Sequence, residues 1–303
     1  MSAVARVLDS DIFYSFRRRP GVVLAAGVTL AFVVAAVFAP WVAPHNPFDL
    51  ATLNLLDAFT PPAWTAQGNP AYPLGTDDQG RDVLSAIIFG SRMSLLVGLL
   101  ATVLAMIVGV ILGLVSGYAG GNVDAFIMRV ADVQLSFPAI LIALLVDGLA
   151  RAALPRDMQD QLALYVLVLA IASSGWVRYA RTVRGSTLVE RNKEYVQAAR
   201  VIGRHPAAIV FTHVLPNALG PVLVLVTLHI SEAIITEATL SFLGVGVPPT
   251  QPSLGTLIRI GNDFLFSGEW WITVFPGAAL VMLVLAINVL GDWLRDALNP
   301  RLR

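Results

Sequence analysis

Residues 194–217 read EYVQAARVIGRHPAAIVFTHVLPN and form a polar, basic segment between two long apolar runs. The stretch from Glu194 to Ile202 favours helix because Ala and Gln are good helix formers, whereas Gly203 and Pro206 interrupt the pattern. Proline is well tolerated in a first helical turn, so a second helical segment is predicted to start near Pro206. We therefore predict a helical hairpin that is exposed to water.

The composition places this hairpin in a membrane protein. The 303 residues are 56% hydrophobic and only 13% charged, and the mean hydropathy is +0.74. Ordinary soluble domains carry about 25% charged residues, so the chain is not one of them. The formal net charge of zero gives no indication of a nucleic-acid partner, and the lack of cysteine excludes disulfides and thiolate metal sites.

Six apolar runs are candidates for membrane-spanning helices, which need about 20 mostly apolar residues. The predicted spans are 21–43, 93–123, 133–150, 162–177, 217–243 and 270–291. The third contains Asp147 near one end, and the fourth is short. The fold class predicted from these runs is an all-α integral membrane protein with six transmembrane helices.

The distribution of Lys and Arg predicts the orientation of these helices. With a cytoplasmic N-terminus, fifteen of the 20 basic residues fall on the cytoplasmic side. They are Arg6, Arg17, Arg18, Arg19, Arg129, Arg178, Arg181, Arg184, Arg191, Lys193, Arg200, Arg204, Arg295, Arg301 and Arg303. Both termini are therefore predicted to be cytoplasmic. We divide the chain into an N-terminal region with an external loop (1–92), a five-helix core with a cytoplasmic loop at 178–217 (93–291), and a cytoplasmic tail (292–303).

The string GTDDQGRD at residues 75–82 ends the external segment. Its acids and amides are residue types that occur in calcium-binding loops. Their spacing does not match the EF-hand pattern, so we predict no metal site. We instead expect a capping turn in which Thr76 or Asp77 starts the helix that enters the membrane.

The second span carries small residues at every fourth position, namely Ala101, Ala105, Gly109, Gly113, Gly117 and Gly121. Such a stripe lets another helix approach closely, and we expect packing within this subunit rather than a subunit interface. Beyond it, Asp124 with Arg129, or Arg129 with Asp132, is predicted to pair at helical spacing.

Three ionisable residues fall within the fifth span, His229, Glu232 and Glu237. Ionisable groups inside a bilayer are functional hypotheses by default, and a proton relay is one interpretation. The glutamates are five residues apart, about 140° around a helix, whereas His229 and Glu232 share a face. Pathway residues facing water, or buried hydrogen bonds, are the alternatives that we favour.

The hairpin resembles the EAA loop of ABC importer permeases. The matching positions are Gln197, Ala198, Ala199, Gly203, Leu215 and Pro216. Gln197 replaces the family's usual Glu, and His213 replaces its usual Ile. The resemblance implies a type I ABC importer permease fold and a coupling helix that lies in a groove of an ATP-hydrolysing subunit.

Other motifs resemble the dipeptide and oligopeptide branch of these permeases. The signature GTDxxGRD is matched by Gly75, Thr76, Asp77, Gly80, Arg81 and Asp82. Residues 248–258 (PPTQPSLGTLI) resemble the family's PPTPEWGTLI loop, with Ser253 and Leu254 replacing an acid and Trp, and 291–300 (GDWLRDALNP) resemble its GDxLRDxLDP tail. The resemblance runs from Arg17 to Arg303 and identifies the chain with the C-type subunit.

The resemblance implies an importer of short peptides in the bacterial cytoplasmic membrane, with nickel chelates, glutathione or oligosaccharides as alternative cargoes. It also implies a homologous second permease, two ATP-binding subunits and a periplasmic or lipid-anchored binding protein. The chain has no GxxxxGK[ST] phosphate loop, so ATP and Mg are expected only on partner subunits. A proton-coupled secondary transporter is the alternative from another class, and a membrane enzyme is disfavoured because no catalytic motif is found.

Overall fold

A computed structural model of the chain describes residues 11–49, 53–248 and 250–298. Helices dominate these ranges, and their only extended pairing is an isolated antiparallel bridge between Thr76 and Asp82. Arg6, Arg301 and Arg303 of the charge count, and residues 299–303 of the predicted tail, lie outside the described residues.

Twelve α-helices are described. They are α1 Asp11–Arg18, α2 Pro20–Val37, α3 Ala39–Val42, α4 Val83–Ala119, α5 Gly121–Leu135, α6 Ala139–Ala153, α7 Arg156–Glu190, α8 Glu194–Val201, α9 Pro206–Ile209, α10 Leu215–Phe242, α11 Leu254–Asn262 and α12 Trp271–Leu298. A π-helical turn, Val210–Val214, joins α9 to α10, and two short 3₁₀ turns cover Leu55–Asp57 and Leu265–Ser267.

Five of the predicted spans correspond to helices that are long and apolar enough to cross a membrane, and the third is broken. Helices α5 and α6 meet at an angle of 97°, so the predicted helix 133–150 does not exist as one piece. The break falls at Phe137 and Pro138. Proline lacks an N–H and disfavours the helical conformation of the residue before it, which ends α5 and lets α6 begin in a new direction.

Two helices extend well beyond the predicted apolar runs. Helix α4 starts at Val83, ten residues before the predicted 93, and α7 continues through Glu190 instead of ending at 177. The 37 residues of α4 are about 55 Å long, well above the roughly 30 Å of a hydrocarbon core. A helix needs continuous backbone hydrogen bonds but not continuous apolar side chains, so hydropathy marks the membrane segment and not the helix ends.

The small residues of the stripe that lie on α4 pack within the subunit, as predicted, with Gly109, Gly113 and Gly117 against α7, whereas Gly121 begins α5 and has no neighbour within 4 Å of an added Cβ. A Cβ atom added at Gly113 would lie 2.6 Å from the carbonyl oxygen of Ala180, and one at Gly117 would lie 2.7 Å from the Cβ of Thr187. The two backbones therefore approach more closely than larger residues would allow.

The predicted ion pairs of Arg129 are wrong. Asp124 accepts two hydrogen bonds from Arg184 of α7, at 2.5 and 2.6 Å, and Asp132 pairs with Arg181 of the same helix. Helical spacing within α5 made Arg129 available, but the packing of α5 beside α7 places arginines from another helix at both carboxylates. These pairs link the bent span to the long helix α7.

Candidate coupling loop and polar sites in the membrane

The segment 194–217 forms the predicted helix, turn and second helix. Helix α8 ends in a Schellman motif, in which the N–H of Gly203 donates to the oxygen of Arg200 (2.9 Å) and that of Arg204 to the oxygen of Ala199 (3.1 Å). Gly203 has a φ of +78°, a conformation that other residues rarely adopt. The Nδ1 atom of His205 then accepts a hydrogen bond from the backbone N–H of Ala207 and caps α9.

One face of this hairpin is anchored in the protein and the other is open. Val196 and Ala199 are buried in a cluster that includes Leu114 of α4 and Val183 of α7. The tip carries Val201 and Ile202, which are 88% and 80% exposed. The motif positions Gln197, Ala198 and Gly203 are also exposed. The buried residues fix the position of an exposed apolar tip, and such a tip is a surface that can dock on another protein.

Polar contacts join the hairpin to the end of α4. The Nη1 atom of Arg191 donates to the carbonyl oxygen of Gly117 (2.7 Å), and Gln197 donates to the carbonyl oxygen of Arg191 (3.1 Å). The guanidinium of Arg200 lies 5.1 Å from the centre of the Tyr118 ring. These contacts connect the hairpin directly to the end of α4.

The second half of the hairpin is tied to the start of α10. His213 lies in the π-helical turn, 3.2 Å from Arg204, and its carbonyl oxygen accepts from Asn217 (2.7 Å). Leu215 and Pro216 form the first turn of α10, where Leu215 is half-buried and Pro216 is exposed.

An ion pair closes the start of the hairpin. The Nζ atom of Lys193 lies 2.6 Å from Glu190 at the end of α7, and this hydrogen bond raises the pKa of Lys193. Tyr195 donates to the same carboxylate, which also raises the pKa of Tyr195. Glu190 thus connects α7 to the first turn of α8.

The string 75–82, which the charge distribution predicts to be external, is mostly buried and internally bonded. The carboxylate of Asp77 accepts from the N–H groups of Gln79 (2.9 Å) and Arg81 (3.0 Å), and from Nε of Arg81 (2.6 Å). Asp77 and Arg81 are 3% and 4% exposed. Gly75 and Gly80 have φ angles of +82° and +75°, which permit the tight turn between them.

Thr76 fastens this turn to the rest of the external segment. It is fully buried, its hydroxyl donates to the carbonyl oxygen of Asp57 (2.5 Å), and its own carbonyl accepts from the indole N–H of Trp271 (3.0 Å). Within the described ranges, no group of three or more His, Cys, Asp or Glu side chains is placed to hold a metal ion.

The predicted helix start in this string is wrong. Asp82, not Thr76 or Asp77, is the N-cap of α4, and its carboxylate accepts from the N–H (2.9 Å) and the hydroxyl (2.5 Å) of Ser85. Each of the three residues is a good capping type, so type alone did not decide between them. The bridge between Thr76 and Asp82 holds the intervening residues out of the helix.

Glu237 is completely buried between three helices. Its carboxylate accepts from the hydroxyls of Ser94 on α4 (2.8 Å) and Ser241 on α10 (2.6 Å). The Ser94 hydroxyl in turn accepts from the N–H of Leu254 at the start of α11 (3.2 Å). This carboxyl therefore joins α4, α10 and α11 through a chain of hydrogen bonds.

His229 and Glu232 both contact α7, as their shared helix face predicts, but through different partners. The Nδ1 atom of buried His229 lies 3.1 Å from the hydroxyl of Tyr179. The carboxylate of Glu232 accepts hydrogen bonds from both terminal nitrogens of Arg178, and the distance from Nη2 to Oε1 is 2.5 Å. Both side chains of this pair are about half exposed.

Two features of these sites were missed from the sequence. Arg178 was assigned to a cytoplasmic loop, whereas it lies inside α7, twelve residues before the end of that helix. Its signal was present, since Arg178 directly follows an apolar run and an arginine at that position is a natural partner for a membrane glutamate. Val201 and Ile202 fall within the stretch predicted as helix without a further role, although two apolar residues before a glycine in a polar loop indicate an exposed tip.

Comparison with known proteins agrees with this architecture. Residues 109–303 match the family described as the inner membrane component of binding-protein-dependent transport systems. Residues 10–62 match the N-terminal transmembrane domain of oligopeptide transport permease C.

Curated relatives match over almost the entire chain. The dipeptide transport system permease protein DppC of Haemophilus influenzae is 38% identical over 97% of this chain and 95% of its own length. The protein of the same name from Escherichia coli K12 is 41% identical over 97% of this chain and 93% of its own length.

A solved structure of the MetNI methionine ABC transporter in inward-facing conformations supports the fold. One of its chains superposes with a TM-score of 0.54 at 17% identity, covering 71% of this chain and 96% of that one. The chain therefore belongs to the family of binding-protein-dependent transport system inner membrane components, as a multi-pass permease subunit with the type I ABC importer permease fold.

Proposed function

We propose that this chain is the C-type permease subunit of an ATP-driven importer that carries short peptides across the bacterial cytoplasmic membrane. The observation that carries the proposal is the similarity to two dipeptide permeases over 97% of the chain. Nickel chelates, glutathione and oligosaccharides are the alternative cargoes, because a permease scaffold of this kind does not by itself specify the ligand.

The hairpin supports ATP-driven operation. Its exposed tip, Val201 and Ile202, is the part that would enter a groove of an ATP-binding subunit, and Gly203 is the turn that presents the tip. Because Arg191 bonds to the end of α4 and Glu190 joins α7 to α8, closure of the ATPase dimer would move the spanning helices.

The remaining parts of the assembly belong to other chains. The chain contains no GxxxxGK[ST] loop, so we assign ATP and Mg to two ATP-binding subunits. A homologous second permease and a periplasmic or lipid-anchored binding protein complete the importer. The excess of arginine and lysine around the hairpin supports a cytoplasmic hairpin and cytoplasmic termini.

We assign structural roles to the external signature and to two of the membrane residues. Gly75, Thr76, Asp77, Gly80, Arg81 and Asp82 would hold the outer turn against α12, while His229 and Glu237 would serve as buried hydrogen-bonding groups. Glu237 bonds to serines and Glu232 to Arg178, so the two carboxyls contact different partners. This arrangement favours separate local roles over the shared proton relay of a secondary transporter.

The decisive experiment is reconstitution of the complete importer in proteoliposomes with its cognate binding protein. We expect uptake of a dipeptide that requires ATP and continues when the proton gradient is collapsed at constant ATP. Uptake that stops with the gradient would support the secondary transporter instead. Uptake of a metal chelate or sugar without peptide uptake would retain the ATP-driven importer and overturn the peptide cargo.

A further inference from the structure

The ion pair between Arg178 and Glu232 joins α7 and α10, two helices that are long and apolar enough to cross a membrane. Arg178 precedes the end of α7 by twelve residues and Glu232 precedes the end of α10 by ten, so they lie about 18 Å and about 15 Å from those ends. The Nη2 atom of Arg178 is 2.5 Å from Oε1 of Glu232, and Nη1 contacts the second carboxylate oxygen. The pair is therefore bidentate.

Both members of this pair are open to their surroundings. The side chains of Arg178 and Glu232 are 54% and 43% exposed, whereas Glu237 and His229 on the same helix are buried. Hydrocarbon does not solvate charged groups, so ionised side chains in membrane spans face water or another protein group. The face of α7 and α10 that carries the pair is thus not a lipid face.

Other polar groups lie near the pair along the two helices, together with Ile235 of α10, which is 47% exposed. One turn from the pair lie Ser174 of α7 and Thr236 of α10, both only partly buried, and on the other side Arg181 of α7 pairs with an exposed Asp132. By contrast, the exposed face of α12 carries Val281, Met282 and Leu285. A polar strip across one face and an apolar surface elsewhere is the pattern expected beside a water-filled passage.

We infer that the Arg178–Glu232 pair lines the translocation passage and binds the charged ends of the transported peptide. This inference rests on the peptide-importer function proposed above. The guanidinium of Arg178 matches a peptide carboxylate in the same bidentate geometry that it uses for Glu232, and Glu232 can accept hydrogen bonds from a peptide ammonium group. A zwitterion brings both charges, so the exchange leaves neither protein charge unpaired.

In this proposal the ion pair contributes no net charge to the passage while no peptide is bound. Without peptide, Arg178 and Glu232 neutralise each other. A ligand with a single charge would break this ion pair but could offer a new partner to only one of the two side chains. We therefore expect peptides with free termini to pass more readily than analogues that have one terminus blocked.

Exposure to water can be tested by cysteine labelling, because the chain has no cysteine of its own. Ser174→Cys and Thr236→Cys are compared with Leu285→Cys on the apolar surface of α12 and with Ala233→Cys, which is 1% exposed. In the assembled importer, a hydrophilic thiol reagent should modify the first two on the order of tenfold faster than the controls, because a thiolate reacts in water and not in hydrocarbon. Equal protection of all four, with dipeptide uptake intact, would place a partner permease or lipid on this face and overturn the inference.

Recognition of charge is tested with Arg178→Gln, Glu232→Gln and the double variant. Loss of one charge-assisted hydrogen bond to the peptide should lower maximal dipeptide uptake about tenfold in each single variant. If the pair were only structural, removing both charges together would restore uptake, since a neutral replacement of an ion pair is tolerated. We expect the double variant to accumulate normally in the membrane and to remain as slow as the single variants.

A third measurement separates the two proposals. Wild-type uptake of the free dipeptide tests the proposed function on its own, and its absence would refute that function together with the inference that rests on it. With wild-type uptake present, Glu232→Gln should reduce the rate for the free peptide more than for an N-acetylated one, the binding protein being identical in both assays. An equal reduction for both peptides, or recovery in the double variant, would overturn peptide recognition by this pair.

Discussion

The external turn at 75–82 and the hairpin at 194–217 have similar local backbone features but direct their characteristic side chains in opposite directions. Each contains a glycine with positive φ and a helix start close by. The external turn directs its polar groups inward, where Asp77 and Arg81 are almost fully buried, and the hairpin directs Val201 and Ile202 outward. From this difference we propose that one loop stabilises this chain and that the other contacts a partner.

The largest effect should come from breaking the buried pair of the external turn. Asp77→Ala leaves the guanidinium of Arg81 buried and without its 2.6 Å partner, which we expect to cost about 3–5 kcal/mol of folding free energy. Membrane accumulation and the thermal unfolding midpoint of the purified protein measure it. The double variant Asp77→Ala/Arg81→Met is the control and should recover much of the loss. Normal accumulation and an unchanged unfolding midpoint of the single variant would contradict the structural role that we propose for this turn.

Gly203→Val should reduce folding stability less than Asp77→Ala does, but it should selectively impair coupling to ATP hydrolysis. A β-branched residue at a φ of +78° is strained by about 1–3 kcal/mol, although no atom lies within 4 Å of the added Cβ. We expect normal membrane insertion, with ligand-stimulated ATP hydrolysis and uptake falling together. Gly185→Val, within α7 and with equal free space, is the control. Loss of insertion would show that the turn at Gly203 is needed for folding, the role that we propose for the external turn.

Ile202→Asp tests the open face of the hairpin directly. The side chain is 80% exposed, so folding stability should change by less than about 0.5 kcal/mol. Docking on an ATP-binding subunit should weaken by about 1.4 kcal/mol or more, a tenfold loss, because a charge would replace an apolar contact. Co-purification of the two chains measures this, and Phe266→Asp, at a 97% exposed position far along the chain, is the control. Unchanged co-purification would contradict the docking role.

The smallest effect is expected for Gln197→Glu. Both residues favour helix, and the exposed side chain of Gln197 contributes only one described hydrogen bond, to the carbonyl oxygen of Arg191. Uptake should stay close to that of the wild type in the reconstituted importer. A large loss would mean that the amide donor is required and that the departure of this chain from the family pattern has a function.

Cross-linking sharpens the comparison of the two faces. A cysteine at exposed Ala198 should link to an ATP-binding subunit, whereas one at Ala199, which is 7% exposed and packed against the protein, should not. Thr65, in the external segment, provides the opposite control and should link at most to the binding protein. The reverse pattern would overturn the assigned topology.

The sequence by itself determined much of this protein. Apolar runs located five spanning helices, local signals placed the hairpin and its turn at Gly203, and the spacing of small residues predicted the packing of α4. These features depend on residues within a few turns of one another. The signature motifs by themselves also indicate the family.

Only the tertiary structure decided the contacts between distant segments. It placed Arg178 beside Glu232, 54 residues away, chose Asp82 over two equally suitable caps, and gave Asp124 to Arg184 instead of Arg129. Helix propensity and hydropathy report which segments form and which enter the membrane. The partner of a charged side chain is set by how those helices pack, and that packing is a property of the whole chain.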